Sequence, residues 1–355
     1  MTLSLKDRIN TIFENENFED DKEVIMKIKT LLAELEDETS DSPKSKSLAQ
    51  IFQDGFDLLV KPPKLISTSV KAFDDKFGGL ALGEFVVLGA RPSMGKTSLV
   101  TQLASQISKE VPTLFFSFNL SEKQLFYRFL ALEKKIDAMG FYSRSFLEEH
   151  WVDLVSLKDE LEVKKLFFNI SGVTTLSDFR KECEKYIKEN KVKVIIVDCL
   201  QDLSSSKRWN NREIEMGLIC RELKKISREY GVCVIATSPL SRATEFRPGK
   251  RPQLSDLRES GSIEQEADKV ILIYRPEYYD IEYWDNEDMS LTENEAELIL
   301  AKNKMGMLGS VRVRFNKNLG IFENSENNYK IIGDFSFLES RLGEIGFENE
   351  DNIPF

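Results

Sequence analysis

Histidine is nearly missing from this chain: His150 is the one copy in 355 residues. A single imidazole argues against Ser–His or Cys–His nucleophilic catalysis and against His-rich metal sites. Cysteine is sparse as well. Cys183, Cys199, Cys220 and Cys233 never fall into C-x-x-C spacing. Three of them lie in or beside apolar runs, so buried free thiols are expected rather than disulfides or a zinc site. No apolar run approaches the ~18 residues of a membrane span. Charges run throughout the first 20 residues, which predicts no signal peptide and, with free thiols, a cytoplasmic chain. Positive charge is not in excess either. The net charge is −11, and the acidity belongs to the ends. Residues 1–64 hold 14 acids against 9 bases and residues 323–355 hold 8 against 2, which leaves 38 of each over residues 65–322. A global basic footprint for nucleic acid is absent, so any DNA binding must use a local patch or loop.

What is present is organised around one stretch, Phe85-Val-Val-Leu-Gly-Ala-Arg-Pro-Ser-Met-Gly-Lys-Thr97. Its first residues form an apolar run of buried-strand type. A turn follows, and Gly95-Lys96-Thr97 opens a predicted helix that continues to Ala104. This is the form of a P-loop, with Ala90 at the place of the usual first glycine and Gly89 just before it. Ala90, Arg91, Pro92, Ser93, Met94, Gly95, Lys96, Thr97 and Ser98 make up the expected nucleotide-binding set, and Arg128 is placed with them. Backbone N–H groups of the loop and the helix start cradle phosphate oxygens. Gly95 lets the backbone come close. Lys96 neutralises the β- and γ-phosphates, and the Thr97 hydroxyl takes a Mg²⁺ coordination position. ATP and Mg²⁺ are the ligands this pattern calls for.

Four stretches follow from the patterning. Residues 1–46 are a short helical N-terminal segment and linker. Apolar positions spaced by three and four over 1–36 predict two short helices, too little chain to bury a core alone. Residues 47–64 are a linker helix with Leu48, Ile51, Phe52, Phe56 and Leu59 on one face, stopped by Pro62-Pro63. Residues 65–324 alternate strands and helices. Strands are predicted at 85–88, 112–118, 165–170, 192–198, 232–237 and 269–274, with helices at 122–132, 177–189 and 212–230 and a hairpin at 296–301 and 310–315. Residues 325–355 are an acidic tail. The fold class is therefore α/β: a RecA-like P-loop NTPase core with a mainly parallel central sheet, preceded by a short helical segment.

Asp198 ends the apolar strand 192–198, where a carboxylate can orient Mg²⁺ at the ligand-binding edge of an α/β sheet. The stretch from about Ile66 to Asn324 resembles the C-terminal motor domain of the DnaB family of ring-forming replicative DNA helicases. The carrying motifs are Ala-Arg-Pro-Ser-Met-Gly-Lys-Thr (90–97), Ile-Val-Asp-Cys-Leu-Gln (196–201), Ser-Asp-Leu-Arg-Glu-Ser-Gly-Ser-Ile-Glu-Gln-Glu-Ala-Asp (255–268) and Gly-Ser-Val-Arg-Val-Arg-Phe-Asn (309–316). The block at 255–268 disfavours another RecA-like ATPase, such as a recombination or clock-type protein. The likeness fails over 1–46, which is shorter than the family's N-terminal domain. It implies a homo-hexamer or mixed ring on single-stranded DNA, with Arg258, Glu259 and Gly261 holding phosphates in the channel. Nearby Arg242, Arg247, Lys250 and Arg251 make the preceding loop locally basic.

Three positions depart from that family, all concerning hydrolysis. Asn119 stands where the family's glutamate deprotonates water, and loss of a general base costs about 10²–10⁴-fold. Pro239 replaces a sensor glutamine. Lys304 stands at the hairpin-tip finger position, where an arginine supplies a bidentate fork. Glu122 and Asp202 are the carboxylates available as substitutes. Two readings stay open: a DnaB-like ATP-dependent helicase motor, and an ATP-binding pseudo-helicase or adaptor with weak or no hydrolysis. A docking role is expected for the C-terminal Ile353-Pro354-Phe355, whose acidic run and terminal aromatic resemble the tip of bacterial single-stranded DNA-binding proteins.

Overall fold

Apolar, β-branched runs bounded by turn residues form buried strands, and the stretches between them bury one stripe of a helix. The computed structural model describes residues 47–48, 51, 55, 64–137, 150–170, 172, 175–205, 211–258, 260–284 and 290–324. The chain divides into two units, Met1–Pro63 and Lys64–Phe355. In the first, residues 48, 51 and 55 are helical, and the Ile51 N–H donates to the Ser47 carbonyl at 3.1 Å. The helices expected over 1–36 lie outside the described residues, as does the tail 325–355 with Ile353, Pro354 and Phe355.

In the second unit the elements are, in chain order, α1 (Lys71–Phe77), β1 (Phe85–Ala90), α2 (Lys96–Ile107), β2 (Thr113–Ser117), α3 (Glu122–Lys134), α4 (His150–Glu162), β3 (Leu166–Asn169), α5 (Leu176–Asn190), β4 (Val194–Asp198), α6 (Arg212–Glu229), β5 (Cys233–Pro239), α7 (Ser260–Glu266), β6 (Lys269–Tyr274), β7 (Glu295–Asn303), β8 (Gly309–Asn316) and β9 (Ile321–Asn324). Each predicted strand and the hairpin is found, with ends shifted by two residues or fewer; β1 runs on to Ala90. β9 and the helices α1 and α4 carry no expectation from the sequence. No described helix is long and apolar enough to cross a membrane.

The strands form one nine-stranded sheet in the order β3-β2-β4-β5-β1-β6-β7-β8-β9. From β3 to β6 the pairing is parallel. β7, β8 and β9 extend it antiparallel. Alternation along each central strand builds two cores. Phe85, Val87, Ile195 and Val197 pack with α5 and α6 on one face, through Phe179, Ile219 and Leu223. Val86, Leu88, Val194 and Ile196 pack with α2 on the other, through Leu99, Val100 and Leu103. Burial on both faces explains the unbroken apolar runs of these strands.

Register positions the site. Ala90 stands beside Pro239, and Ser117 beside Asp198. The C-terminal ends of β1, β2, β4 and β5 therefore make one edge, the side on which ligands bind in open α/β sheets.

Candidate nucleotide-binding site

The P-loop joins β1 to α2 at that edge. Two residues within it take left-handed backbone, Ser93 at φ 64° and Gly95 at φ 98°. Gly95 is also tightly roofed. A Cβ there would stand 2.9 Å from the Phe322 ring and 3.2 Å from that of Phe315, so both its conformation and its surroundings require glycine. The roof comes from β8 and β9. Gln102 of α2 fixes β9 by donating to the Phe322 carbonyl at 2.8 Å and accepting from the Phe322 N–H at 2.9 Å.

A cavity of about 630 Å³ opens over the loop, lined on one side by Arg91, Ser93, Gly95, Lys96, Thr97 and Ser98. Across it stand Gln124, Tyr127 and Arg128 of α3, then Arg275, Phe315 and the turn Lys317–Gly320. Of the expected nucleotide set, Ala90 and Met94 are buried and Pro92 is exposed, and none of the three lines the cavity. Arg128 does, and its Nη1 donates to Ser98 Oγ at 3.2 Å. Burial holds both the Lys96 ammonium and the Arg128 guanidinium below their ordinary pKa, with the Asp198 carboxylate opposing the shift in each. Lys96 Nζ donates to the Ala90 carbonyl at 3.0 Å, and the same oxygen accepts from the Leu240 N–H at 3.1 Å. Arg91 is tied back by Leu240 O at 2.8 Å and Glu245 at 2.9 Å.

Asp198 is 4% exposed and held from two sides. Thr97 Oγ1 donates to its Oδ2 at 2.9 Å, and Thr237 Oγ1 donates to its Oδ1. Thr97 and Asp198 thus present two hard oxygen donors side by side, a set that suits Mg²⁺ when phosphate oxygens and water complete the shell. Among the described residues no three His, Cys, Asp or Glu side chains gather into a metal site. Sequence reasoning passed over Thr237. Its place was available from register alone, since Val197 pairs with Ala236 and the next residues on each strand are Asp198 and Thr237.

The three departing positions fall in different places. Asn119 lies two residues beyond β2, and its Nδ2 donates to Asp202 Oδ2 at 2.7 Å. Pro239 ends β5, and its carbonyl accepts from the Arg258 N–H at 3.3 Å. Lys304 lies at the β7–β8 tip, away from this chain's cavity, with Nζ 3.3 Å from Asp268 Oδ1.

The expected DNA set is partly visible. Arg258 is exposed and, among the described residues, forms no ion pair. Glu259 lies outside the described residues. Gly261 belongs to α7 rather than to a loop. Of the four bases expected to make the preceding loop locally basic, two are paired with acids. Arg247 makes two 2.9 Å bonds to Asp256, and Arg251 reaches Glu297 at 2.6 and 2.8 Å. Lys250 lies over the Tyr279 ring at 4.8 Å. One partner, Asp256, is nine residues away, and the other, Glu297, is 46 away on β7, so composition alone could not show the pairing.

Comparisons with known proteins bear on the family and the fold. The DnaB-like helicase C terminal domain matches residues 66–324. The Bacillus subtilis (strain 168) protein named replicative DNA helicase DnaC is 35% identical over 273 residues, 76% of this chain and 58% of its own length. The Geobacillus stearothermophilus protein named replicative DNA helicase DnaB is 34% identical over 267 residues, 74% of this chain and 57% of its own. The chain thus spans little more than half the length of the curated relatives it matches. A solved structure described as a DnaB-like replicative helicase and its interactions with primase superposes with a TM-score of 0.71 at 29% identity, covering 84% of this chain and 71% of that one. A solved ATPase domain gives the same TM-score, 0.71, at 30% identity over 80% of this chain and 100% of its own. This chain belongs to the DnaB-like helicase family, and residues 66–324 are its C-terminal, RecA-like domain.

Proposed function

We propose that this chain is the motor of a DnaB-like replicative DNA helicase, which binds ATP with Mg²⁺, hydrolyses it and moves on single-stranded DNA as a ring. The observation that carries the reading is the junction at the sheet edge, where Lys96, Thr97 and Asp198 converge under the cavity while Arg258 hangs from the carbonyl of Pro239. Lys96 neutralises the β- and γ-phosphates, and the α2 N-terminus supplies backbone N–H groups. Thr97 and Asp198 would hold Mg²⁺, with Thr237 fixing the carboxylate. Held there, Mg²⁺ would supply charge neutralisation for the phosphates. Arg258 tracks the phosphate chain of a single strand without reading bases. Lys304 serves the neighbouring subunit's nucleotide in a homo-hexamer or mixed ring. Glu259 and Gly261 complete the DNA set, and Ile353-Pro354-Phe355 docks a replication partner.

The non-hydrolysing alternative gains no support. The relatives carry the names of replicative helicases, and a carboxylate stands bonded to Asn119. The test is one preparation of the full chain in two assays, ATP turnover with and without oligo-dT and strand displacement on a forked duplex. Turnover stimulated by oligo-dT and displacement that both vanish in Lys96→Ala are expected. Tight ATP binding with turnover no greater than in Lys96→Ala would overturn the motor reading.

A further inference from the structure

The water-activating carboxylate of this family's chemistry is missing at Asn119, yet the edge beside Asp198 holds another. Asp202 closes the 3₁₀ turn Leu200–Asp202 that follows β4. Its Oδ2 accepts from Asn119 Nδ2 at 2.7 Å, from the Cys199 N–H at 3.2 Å and from Cys199 Sγ at 3.0 Å. These donors, an amide, a backbone N–H and a thiol, carry no charge and so aim the carboxylate without neutralising it. The placement is rigid. Ser117 and Asp198 are register partners, and the Phe118 N–H donates to the Asp198 carbonyl at 3.2 Å. Asn119 thus stands two residues past the joined ends of β2 and β4. Leu120, its neighbour, lines the nucleotide cavity. Glu122, the other carboxylate within reach in the sequence, is exposed on the first turn of α3, and the bond from Asn119 goes to Asp202 instead.

We propose that Asp202 is the general base of ATP hydrolysis and that Asn119 is its positioning residue. The inference rests on the reading of this chain as a hydrolysing motor. The Asn119 amide donates to the carboxylate through Nδ2 and orients the attacking water through its carbonyl oxygen. The water oxygen bonds to the γ-phosphorus. The bond from that phosphorus to the β–γ bridging oxygen breaks, its electron pair leaves with ADP, and the water proton passes to Asp202. An amide can aim water but cannot take its proton, and a carboxylate held by that amide supplies the missing acceptor. The role of one glutamate is divided between two residues in the segments that follow neighbouring strands.

The test uses the full chain with oligo-dT and Mg²⁺, following kcat and KM for ATP beside equilibrium binding of a fluorescent, non-hydrolysable ATP analogue. Asp202→Asn is expected to lower kcat by about 10²–10⁴-fold with analogue binding unchanged. Asn119→Glu added to Asp202→Asn is expected to restore turnover, because it returns a carboxylate to the place from which the amide reaches Asp202. A merely structural Asp202 predicts no such rescue. Asn119→Ala, an exposed change that leaves the core alone, is expected to lower kcat at unchanged KM. Asp202→Asn or Asn119→Ala at wild-type kcat overturns this inference and leaves the motor reading standing. A double variant that binds the analogue yet does not recover overturns it as well. Wild-type turnover no greater than in Lys96→Ala overturns the motor reading and this inference with it.

Discussion

Thr237 shows how much of the site depends on a residue that touches no ligand. It donates to one oxygen of Asp198 while Thr97 donates to the other. Thr237→Val keeps the shape and the packing but releases the carboxylate. Loss of such an outer partner typically costs about 10–100-fold in metal affinity. A Mg²⁺ titration of turnover is expected to shift to that extent in Thr237→Val and to recover in Thr237→Ser. A second expectation concerns the thiols. Cys183, Cys220 and Cys233 are buried and form no disulfide, and burial pushes the Cys183 and Cys233 thiols well up. Ellman titration of the native chain should find no more than one reactive thiol, and four after denaturation. Lys96, Thr97 and Asp198 were legible in the sequence because a P-loop and a strand-ending aspartate have local signatures. Thr237 and the Asn119–Asp202 bond were not, because each depends on the register of strands far apart in the chain.

Among the elements, β1 carries the tightest constraint. A Cβ on Gly89 would meet side-chain carbons of Leu272, Leu257 and Leu240 at 2.7, 3.0 and 3.2 Å. These leucines come from β6 and from the two segments that carry Arg258 and follow Pro239. Overpacking of this kind costs about 1–3 kcal/mol, so Gly89→Ala is expected to lower the thermal midpoint, read by calorimetry with and without nucleotide. The parallel strands could be read in the sequence as apolar runs. β9 could not, since Ile321–Asn324 is four residues long and half polar. What makes it a strand is non-local: pairing with β8, two bonds to Gln102, and the contact of Phe315 and Phe322 at 4.7 Å between ring centroids.

For the whole molecule the charge distribution sets the expected mode of DNA binding. Residues 65–322 carry no net charge, and the arginines before Arg258 are largely spent on internal acids. Binding to oligo-dT should therefore rest on few contacts, and Arg258→Ala should reduce the slope of log affinity against log salt by about one. The edge from which Arg258 hangs has one more property. The Ala90 carbonyl has two donors, Lys96 Nζ and the Leu240 N–H, and Pro239, next to Leu240, holds the Arg258 N–H. A phosphate that draws the lysine away leaves Leu240 as the other holder of that oxygen. Hydrogen exchange at Leu240 and Arg258 is expected to change when an ATP analogue binds the wild type and to stay constant in Lys96→Ala. In mechanical terms the drive shaft proposed here is short: the lysine meant to meet the phosphate and the arginine meant to meet the strand are joined through the Ala90 carbonyl and the adjoining residues Pro239 and Leu240.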